Sequence, residues 1–448
     1  MAQHQLSKTA STSDAPASKK SDSKAKLLVS VGAGNAAEWF DWAIYATFAP
    51  FFATQLFDDS NPASAVLATL AVFAVGFLAR PLGGLFFGMM ADRVGRKASM
   101  TLAVALAAAG SLMIAITPTF DRVGILASLM LLAARLIQGL AHGGEMPSAQ
   151  TYISEVAPRE RRGLWATLIY ISGTVGNLFG ILLGAVLTVV LSNEEMLAWG
   201  WRIPFFIGAA FGLYSVFMRL SMKETEVFDK NASKSKKRES LWPQIIKHRR
   251  KALQIIGLTV GGTVNYYIWA ISAPTYASTQ LGMDRGHALW ASFAANIVFI
   301  IALPLWGMLS DRIGRKPVLI INAAGSALLF FPMNWILTDN PMSLFIAQSV
   351  MMVFVAAASA IVPATYAELF PTEIRTVGVA IPYSISVALF GGTAPYLQAW
   401  LGSAVGPNAF SFYAVILMLI TLVVIKTIPE TKGIDLSGNK TNESQEIH

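Results

Sequence analysis

The feature that most constrains this chain is the recurrence of apolar runs long enough to cross a membrane. From Leu27 onward a run recurs twelve times, near residues 27–57, 63–91, 98–118, 123–155, 163–191, 201–221, 252–281, 287–310, 317–337, 342–369, 377–403 and 407–428. A run of about 20 apolar residues spans roughly 30 Å of hydrocarbon as a helix. Backbone polar groups have no water to bond there, so such runs must be helical. Composition agrees: 54% of the 448 residues are apolar and 13% charged, about half the charge of an average soluble domain. That is too little polar surface to cover soluble domains. The chain has no cysteine, which excludes a disulfide scaffold, a thiolate metal site and a cysteine nucleophile. Several runs are longer than a bilayer needs, which implies tilt or extension beyond it.

Basic residues set the expected orientation, because Lys and Arg accumulate in cytoplasmic loops. With the N-terminus inside, 29 of the 34 Lys and Arg fall on the cytoplasmic side; Arg122, Arg202 and Arg285 fall outside, and Arg80 and Arg135 lie within spans. No signal-peptide pattern precedes the first run, which also keeps the N-terminus inside. The expected units are a disordered N-tail at 1–26, a six-helix bundle at 27–221, a basic linker at 222–251, a second bundle at 252–428 and a C-tail at 429–448, with both tails and the linker cytoplasmic. The linker's Lys and Arg serve topology and lipid headgroups. The net charge of +8 therefore gives no reason to expect nucleic acid.

The two halves repeat a motif. Gly88-Met-Met-Ala-Asp92-Arg93-Val-Gly95-Arg96-Lys97 follows span 2, and Gly307-Met-Leu-Ser-Asp311-Arg312-Ile-Gly314-Arg315-Lys316 follows span 8. Glu155 with Arg162 follows span 4, and Glu368 with Arg375 follows span 10. Duplication of a six-span unit is a transporter signature. A carboxylate at such a turn can pair with the arginines after it and approach a helix N-terminus in the other half. These ten residues (Asp92, Arg93, Arg96, Glu155, Arg162, Asp311, Arg312, Arg315, Glu368 and Arg375) are the expected cytoplasmic gate.

On these motifs the chain resembles the major facilitator superfamily over essentially its whole membrane region. Narrower matches resemble its metabolite:proton symporter branch. They are Gly34-Asn35-Ala-Ala-Glu38-Trp39-Phe40-Asp41, Gly76-Phe77-Leu78-Ala-Arg80-Pro81-Leu-Gly83-Gly84, Arg135-Leu-Ile-Gln138-Gly139 with Gly143-Gly144-Glu145, and Glu368-Leu-Phe-Pro371-Thr-Glu-Ile-Arg375. Pro429-Glu430-Thr431-Lys432-Gly433 is shared with sugar porters. The resemblance implies an all-α membrane protein with twelve transmembrane helices in two pseudo-symmetric six-helix bundles. It also implies a carrier of the class that moves 2-oxoglutarate, citrate, shikimate, aromatic acids, proline or betaine. The chain departs from its relatives at Ala141-His142-Gly-Gly-Glu-Met, where they often have a small hydroxyl before the glycines and Tyr after the Glu.

A charge in hydrocarbon costs a few kcal/mol even on lenient scales. Five stand inside spans, all in the first half: Glu38, Asp41, Arg80, Arg135 and Glu145. Glu38 and Asp41 share a helical face, and two carboxylates in low dielectric do not both ionise cheaply. Asp41 is the first candidate for carrying a proton and Glu38 the second; both also serve as partners for Arg80 and Arg135. Arg80, beside Pro81 and two glycines, suits a bidentate grip on a substrate carboxylate or a salt bridge to span 1. Arg135 either pairs with Glu38 or Asp41 or binds substrate. Glu145 and His142 are further proton-relay candidates, His142 for its pKa near neutrality; a hydrogen-bonded pair between the two is the plainer alternative.

The second half offers neutral polar groups. Candidate substrate contacts, beside Arg80, Arg135 and Gln138, are Tyr170, Asn177, Asn265, Tyr266, Trp269 and Tyr383; with Tyr267, Asn296 and Tyr366 the asparagines and tyrosines number eight, of which two or three are expected to touch substrate. Asn265, Tyr266 and Tyr267 are adjacent and so cannot all face one cavity. The expected protein is a monomeric proton symporter for a small organic anion, a mono- or dicarboxylate like 2-oxoglutarate, in a bacterial plasma membrane. The proton is its coupling ion, and no cofactor or metal is expected. A proline/betaine or aromatic-acid/shikimate carrier is the alternative, with a drug/proton antiporter or transporter-like sensor behind it. No Ser/His/Asp set or phosphate loop suggests an enzyme.

Overall fold

The computed structural model describes residues 18–58, 60–93, 96–143, 150, 153–155, 157–220, 248–370 and 375–436, with backbone alone at 18–31, 88, 91–93, 96–97, 100, 218–220 and 376–377. Among these residues there are helices and turns and no strand. The first six helices are α1 Ser18–Leu56, α2 Pro62–Arg93, α3 Arg96–Ile116, α4 Ile125–His142, α5 Arg162–Val190 and α6 Ile203–Leu220. The second six begin with α7 Arg249–Tyr266, extended through Ala273–Gln280, then α8 Arg285–Ile313, α9 Arg315–Trp335 and α10 Pro341–Leu369. They end with α11 Arg375–Ser386, extended through Ala394–Ala404, and α12 Ala409–Thr427. Eight helices among the described residues are apolar and long enough to cross a membrane. Large apolar side chains such as Phe217, Leu328 and Val189 stay exposed on the outside, as lipid-facing residues do.

Within the first half α2 packs on α4, and α3 on α4 and α6; within the second, α8 packs on α10, and α9 on α10 and α12. Between halves α5 lies along α8 and α2 lies along α11. Exchanging the halves turns one of these contacts into the other, which is the pseudo-twofold of a duplicated six-helix unit.

The structure changes some sequence expectations. Helix α1 begins at Ser18, so residues 18–26, assigned to a disordered tail, are helical; the stretch adjoins the apolar run and continues its turn, with four lysines and one alanine that favour the helix. Arg249–Lys251, assigned to the linker, open α7; the rest of the linker through 247 lies outside the described residues. The fourth apolar run is broken at its start, where Gly124 at φ +57° separates Phe120–Val123 from α4.

Two spans carry π-helical turns, Tyr267–Ser272 in α7 and Val387–Gly391 in α11. Pro274 and Pro395 lie just beyond them. A proline has no N–H for the carbonyl four residues back, which leaves Ala270 and Gly391, both within the π turns, without that bond. The Ala270 carbonyl instead accepts from Asn177 Nδ2 on α5 at 3.1 Å. Pro50 frees the Ala46 carbonyl of α1 in the same way, and Thr275 Oγ1 of α7 donates to it at 2.7 Å. Two carbonyls released by prolines thus tie the halves together.

Candidate functional site

Two helical stripes build the centre of the first half. Glu38, Asp41, Trp42 and Tyr45 lie on α1 at the i, i+3, i+4, i+7 spacing of one face. Arg135, Gln138, Gly139 and His142 repeat that spacing on α4. The helices run in opposite senses, so Tyr45 meets Arg135 while Asp41 meets His142. Helix α2 enters between them because glycines remove the side chains at the contact. A Cβ on Gly139 would lie 2.0 Å from the Gly76 carbonyl oxygen, and one on Gly143 2.0 Å from that of Arg80.

Arg80 Nη2 pairs with Glu38 Oε1 at 2.7 Å, buried on both sides. Its guanidinium carbon stands 4.4 Å from the Trp42 ring centroid and 4.6 Å from that of Phe77. Arg135 is fully buried and reaches the same indole at 4.1 Å and the Tyr45 ring at 4.3 Å. The two cations therefore share Trp42, whose π face attracts both. Among the described residues Arg135 is hydrogen-bonded to no carboxylate. Its Nη1 donates to Gln138 Oε1 at 2.7 Å, Gln138 Nε2 donates to Ser111 Oγ at 2.8 Å, and Ser111 Oγ donates to Asp41 Oδ1 at 2.9 Å. Gly208 of α6 makes room for that carboxylate, since a Cβ there would stand 2.8 Å from Asp41 Oδ1. His142 Nε2 lies 3.6 Å from Asp41 Oδ2. Arg80 Nε, Arg135 Nε and Arg135 Nη2 are buried without a hydrogen-bond acceptor among the described residues.

The paired acids thus have different partners: Glu38 takes Arg80, while Asp41 takes Ser111 and stands beside His142. Glu145 lies outside the described residues. Sequence reasoning did not single out Trp42, Ser111 or Gly208. The i+4 and i+7 steps from Glu38 do reach Trp42 and Tyr45, so one of these had a readable signal. Ser111 and Gly208 are ordinary small residues of apolar runs, and only the packing of α3 and α6 against α1 gives them a role.

Facing this group from the second half is an aromatic cluster. The Trp39 ring meets Tyr266 at 5.3 Å and Tyr267 at 6.3 Å, and Phe77 of α2 meets Tyr267 at 5.2 Å. Asn265, Tyr266 and Tyr267 are all buried, and the Trp39 indole touches both tyrosines. A π turn begins at Tyr267. Tyr170 packs against Tyr266 at 5.6 Å and interacts with the Tyr383 hydroxyl. Among the described residues Asn265 makes no hydrogen bond through its side chain, at 1% exposure. Asn177 spends its amide donors on Ala270 O and Asn296 Oδ1. The Trp269 indole packs inside the second half against Phe330, and its backbone carbonyl accepts from Gln348 Nε2.

At the end that carries the basic loops, acids and arginines of the two halves interlock. Asp311 Oδ1 accepts from Gly163 N at 2.8 Å and Oδ2 from Leu164 N at 3.0 Å, at the N-terminus of α5. Arg315 Nη1 holds the same carboxylate at 2.8 Å. Arg162 pairs with Glu368 at 2.9 Å and Arg375 with Glu155 at 2.8 Å, each arginine taking the acid of the opposite half. Glu368 is a hub, with Arg315 Nη2 at 3.3 Å and Thr431 Oγ1 at 2.7 Å. The segment after α12 straps this end: Glu430 accepts from Arg315 N and Lys316 N, Ile434 O accepts from Arg162, and Gly433 O from Arg159. The backbone carbonyl of Arg312 accepts from Lys432 Nζ at 2.7 Å. The matching side chains of the first half, Asp92, Arg93 and Arg96, lie outside the described residues.

Comparison with known proteins agrees with this architecture. A family model described as Major Facilitator Superfamily matches residues 31–292, and one described as Sugar (and other) transporter matches 219–441. The chain is 34% identical over 418 residues to the alpha-ketoglutarate permease of Escherichia coli K12, covering 92% of this chain and 96% of that protein. It is 30% identical over 439 residues to a proline/betaine transporter of Salmonella typhimurium, covering 94% and 88%. Among solved structures, a D-xylose–proton symporter superposes with a TM-score of 0.71 at 20% identity, covering 92% of this chain and 99% of that one. The xylose transporter of E. coli in a partially occluded inward-open conformation gives 0.68 at 18%, covering 91% and 98%. With a matching family model over more than half its length and relatives at 30% identity or more across nine-tenths of it, this multi-pass membrane protein belongs to the major facilitator superfamily of transporters.

Proposed function

We propose that this protein is a proton symporter for a small organic anion, a mono- or dicarboxylate such as 2-oxoglutarate, working by alternating access in a bacterial cytoplasmic membrane with both termini inside. One observation carries the reading: Arg80 and Arg135 are buried over one indole, and three of their guanidinium nitrogens have no acceptor among the described residues. Unmet buried donors on a cation are costly, and a carboxylate that accepts from them removes the cost. Among the described residues Glu38 neutralises Arg80, while Arg135 is linked to one carboxylate, Asp41, through the neutral side chains of Gln138 and Ser111. A proton on Asp41 therefore leaves one cation uncompensated, and an anion that binds with the proton restores the balance. The relative named an alpha-ketoglutarate permease supports an acid of this size.

A second reading rests on the aromatic group of Trp39, Tyr266, Tyr267 and Tyr170 beside Glu38. Such a cluster suits the cationic end of a zwitterion, and relatives named proline/betaine transporters fit it. In either case the interlocked charges at the basic end act as the cytoplasmic gate: closed when the protein opens outward, and parted when it opens inward. The test is uptake into proteoliposomes under an imposed pH gradient, with a panel of carboxylic acids and zwitterions. Accumulation of an acid supports the anion reading, and accumulation of betaine alone supports the second. No gradient-driven uptake of any member of the panel overturns both.

A further inference from the structure

The chain of hydrogen bonds from Arg135 to Asp41 has a fixed direction. A guanidinium can only donate, so the atom of Gln138 that faces Arg135 Nη1 is its oxygen. The other end of that amide is then a donor, and it donates to Ser111 Oγ. With that lone pair engaged, the single hydroxyl hydrogen of Ser111 goes to Asp41 Oδ1. Asp41 Oδ1 is thus the acceptor in this arrangement. A proton there would set two hydrogens against each other across 2.9 Å unless the Ser111 hydroxyl gave up this bond and turned its hydrogen away, accepting from both Gln138 and Asp41.

The other oxygen, Oδ2, faces His142 Nε2 at 3.6 Å, and that nitrogen is buried without a hydrogen bond among the described residues. Among these residues few other titratable or charged groups face this place; Glu145, three residues on from His142, lies outside them. From α1, Glu38 lies one turn away and is committed to Arg80 of α2. From α3 there is Ser111 alone, from α4 Arg135 at the far end of the chain, and from α6 the bare Gly208. The Trp42 ring covers one side of the imidazole, with centroids 6.2 Å apart.

We infer that Asp41 carries the coupling proton on Oδ2, that His142 Nε2 is the group that delivers and removes it, and that Ser111 and Gln138 are positioning residues that hold Oδ1 as an acceptor. In the loading step the imidazolium N–H bond at Nε2 breaks and an O–H bond forms at Oδ2. The products are a neutral imidazole, with its hydrogen on Nδ1, and a neutral carboxyl. Closing the gap from 3.6 Å to a hydrogen bond of about 2.9 Å takes a small movement of the ring, and such pairs commonly tighten only in the working complex. The inference rests on the proton-symport reading above.

The test uses the full-length protein in proteoliposomes with radiolabelled 2-oxoglutarate and glycine betaine as probes. Accumulation under a pH gradient is compared with counterflow exchange, which needs no net proton movement. In His142→Gln the ratio of accumulation to exchange falls tenfold or more. In Ser111→Ala the pH midpoint of uptake moves up by about one unit, since a hydrogen bond to a charged group is worth about that much. Ser111→Thr, which keeps the donor, returns the midpoint toward the wild type. If His142→Gln keeps the wild-type ratio, or Ser111→Ala keeps the wild-type profile, the inference is overturned and the symport reading stands. If the wild type itself accumulates neither probe under a gradient, the symport reading fails and the inference falls with it.

Discussion

Asp311 reaches from the end of α8 to the other half of the molecule, where its carboxylate accepts the Gly163 N–H at 2.8 Å. The contact is a negative charge set on the positive end of a helix dipole. Gly163 is needed there, because a Cβ would lie 2.8 Å from both Asp311 Oδ1 and the Gly307 carbonyl. Away from that end the halves are tied by neutral bonds, Asn177 to Ala270 midway along α5 and Thr275 to Ala46 further on. Charged hydrogen bonds contribute about 1.5–3 kcal/mol each and neutral ones about 1, so the basic end holds more firmly.

Asp311→Asn is expected to part the basic end. The chain has no native cysteine, so spin labels can be placed at Glu160→Cys and Ile313→Cys for that end, and at Glu194→Cys and His287→Cys for the other. The prediction is a longer-distance population between the first pair in Asp311→Asn, while Thr275→Val lengthens the second pair instead. The same effect of both substitutions on both pairs would contradict this division of labour.

The α2–α4 seam gives a stability contrast. Gly139→Ala places a methyl 2.0 Å from a backbone carbonyl, whereas Gly262→Ala has nothing within 4 Å. Overpacking costs about 1–3 kcal/mol, while an alanine in open helix gains up to about 1. Thermal unfolding in detergent is expected to show a clear drop in Tm for Gly139→Ala and none for Gly262→Ala.

Trp42 lies under two guanidinium groups and supplies no hydrogen bond to them. Trp42→Phe keeps a π face and Trp42→Leu does not, so substrate affinity is expected to fall further in the leucine variant. A loss of about 1–2 kcal/mol corresponds to roughly five- to thirtyfold in Kd. Equal losses in the two variants would assign Trp42 to packing alone. Arg80→Lys is expected to weaken carboxylate binding as well, because the planar fork is lost.

Glu430, past the last span, gives a pH dependence. Partial burial works against its charge, but the N–H groups of Arg315, Lys316 and Lys432 donate to the carboxylate, and the Arg315 charge lies nearby, so its pKa is held below the ordinary value. A carboxylate depressed on folding adds stability above its unfolded pKa and loses it as pH falls through the folded one. Wild-type Tm is therefore expected to decline below about pH 4.5 more steeply than that of Glu430→Gln. Parallel curves would remove Glu430 from the strap.

Much of the centre could be read from sequence. Glu38, Asp41, Arg80 and Arg135 stood out because charge inside an apolar run is costly, and Asp311 could be assigned to a helix N-terminus because acid, glycine and arginine recur at matched spacing. The pairings could not be read. Whether Arg135 meets an acid depends on which face α4 turns to α1, and the bond to Gln138, three residues on, forms instead. The π turns had a local signal in Pro274 and Pro395, yet the meeting of two adjacent tyrosines with one indole of the other half shows only in the packing. Helix α1 starts nine residues before its apolar run, in a polar stretch that hydropathy does not mark.

The account turns on protons moving with substrate, and the most direct measurement is substrate-driven proton flux. Proteoliposomes without an imposed pH gradient are given 2-oxoglutarate or glycine betaine outside while external pH is followed. The account predicts that the transported solute makes the outside more alkaline, and that Asp41→Asn abolishes this signal while retaining counterflow exchange. Uptake of solute with no change in external pH, or a proton signal that survives Asp41→Asn, would contradict it.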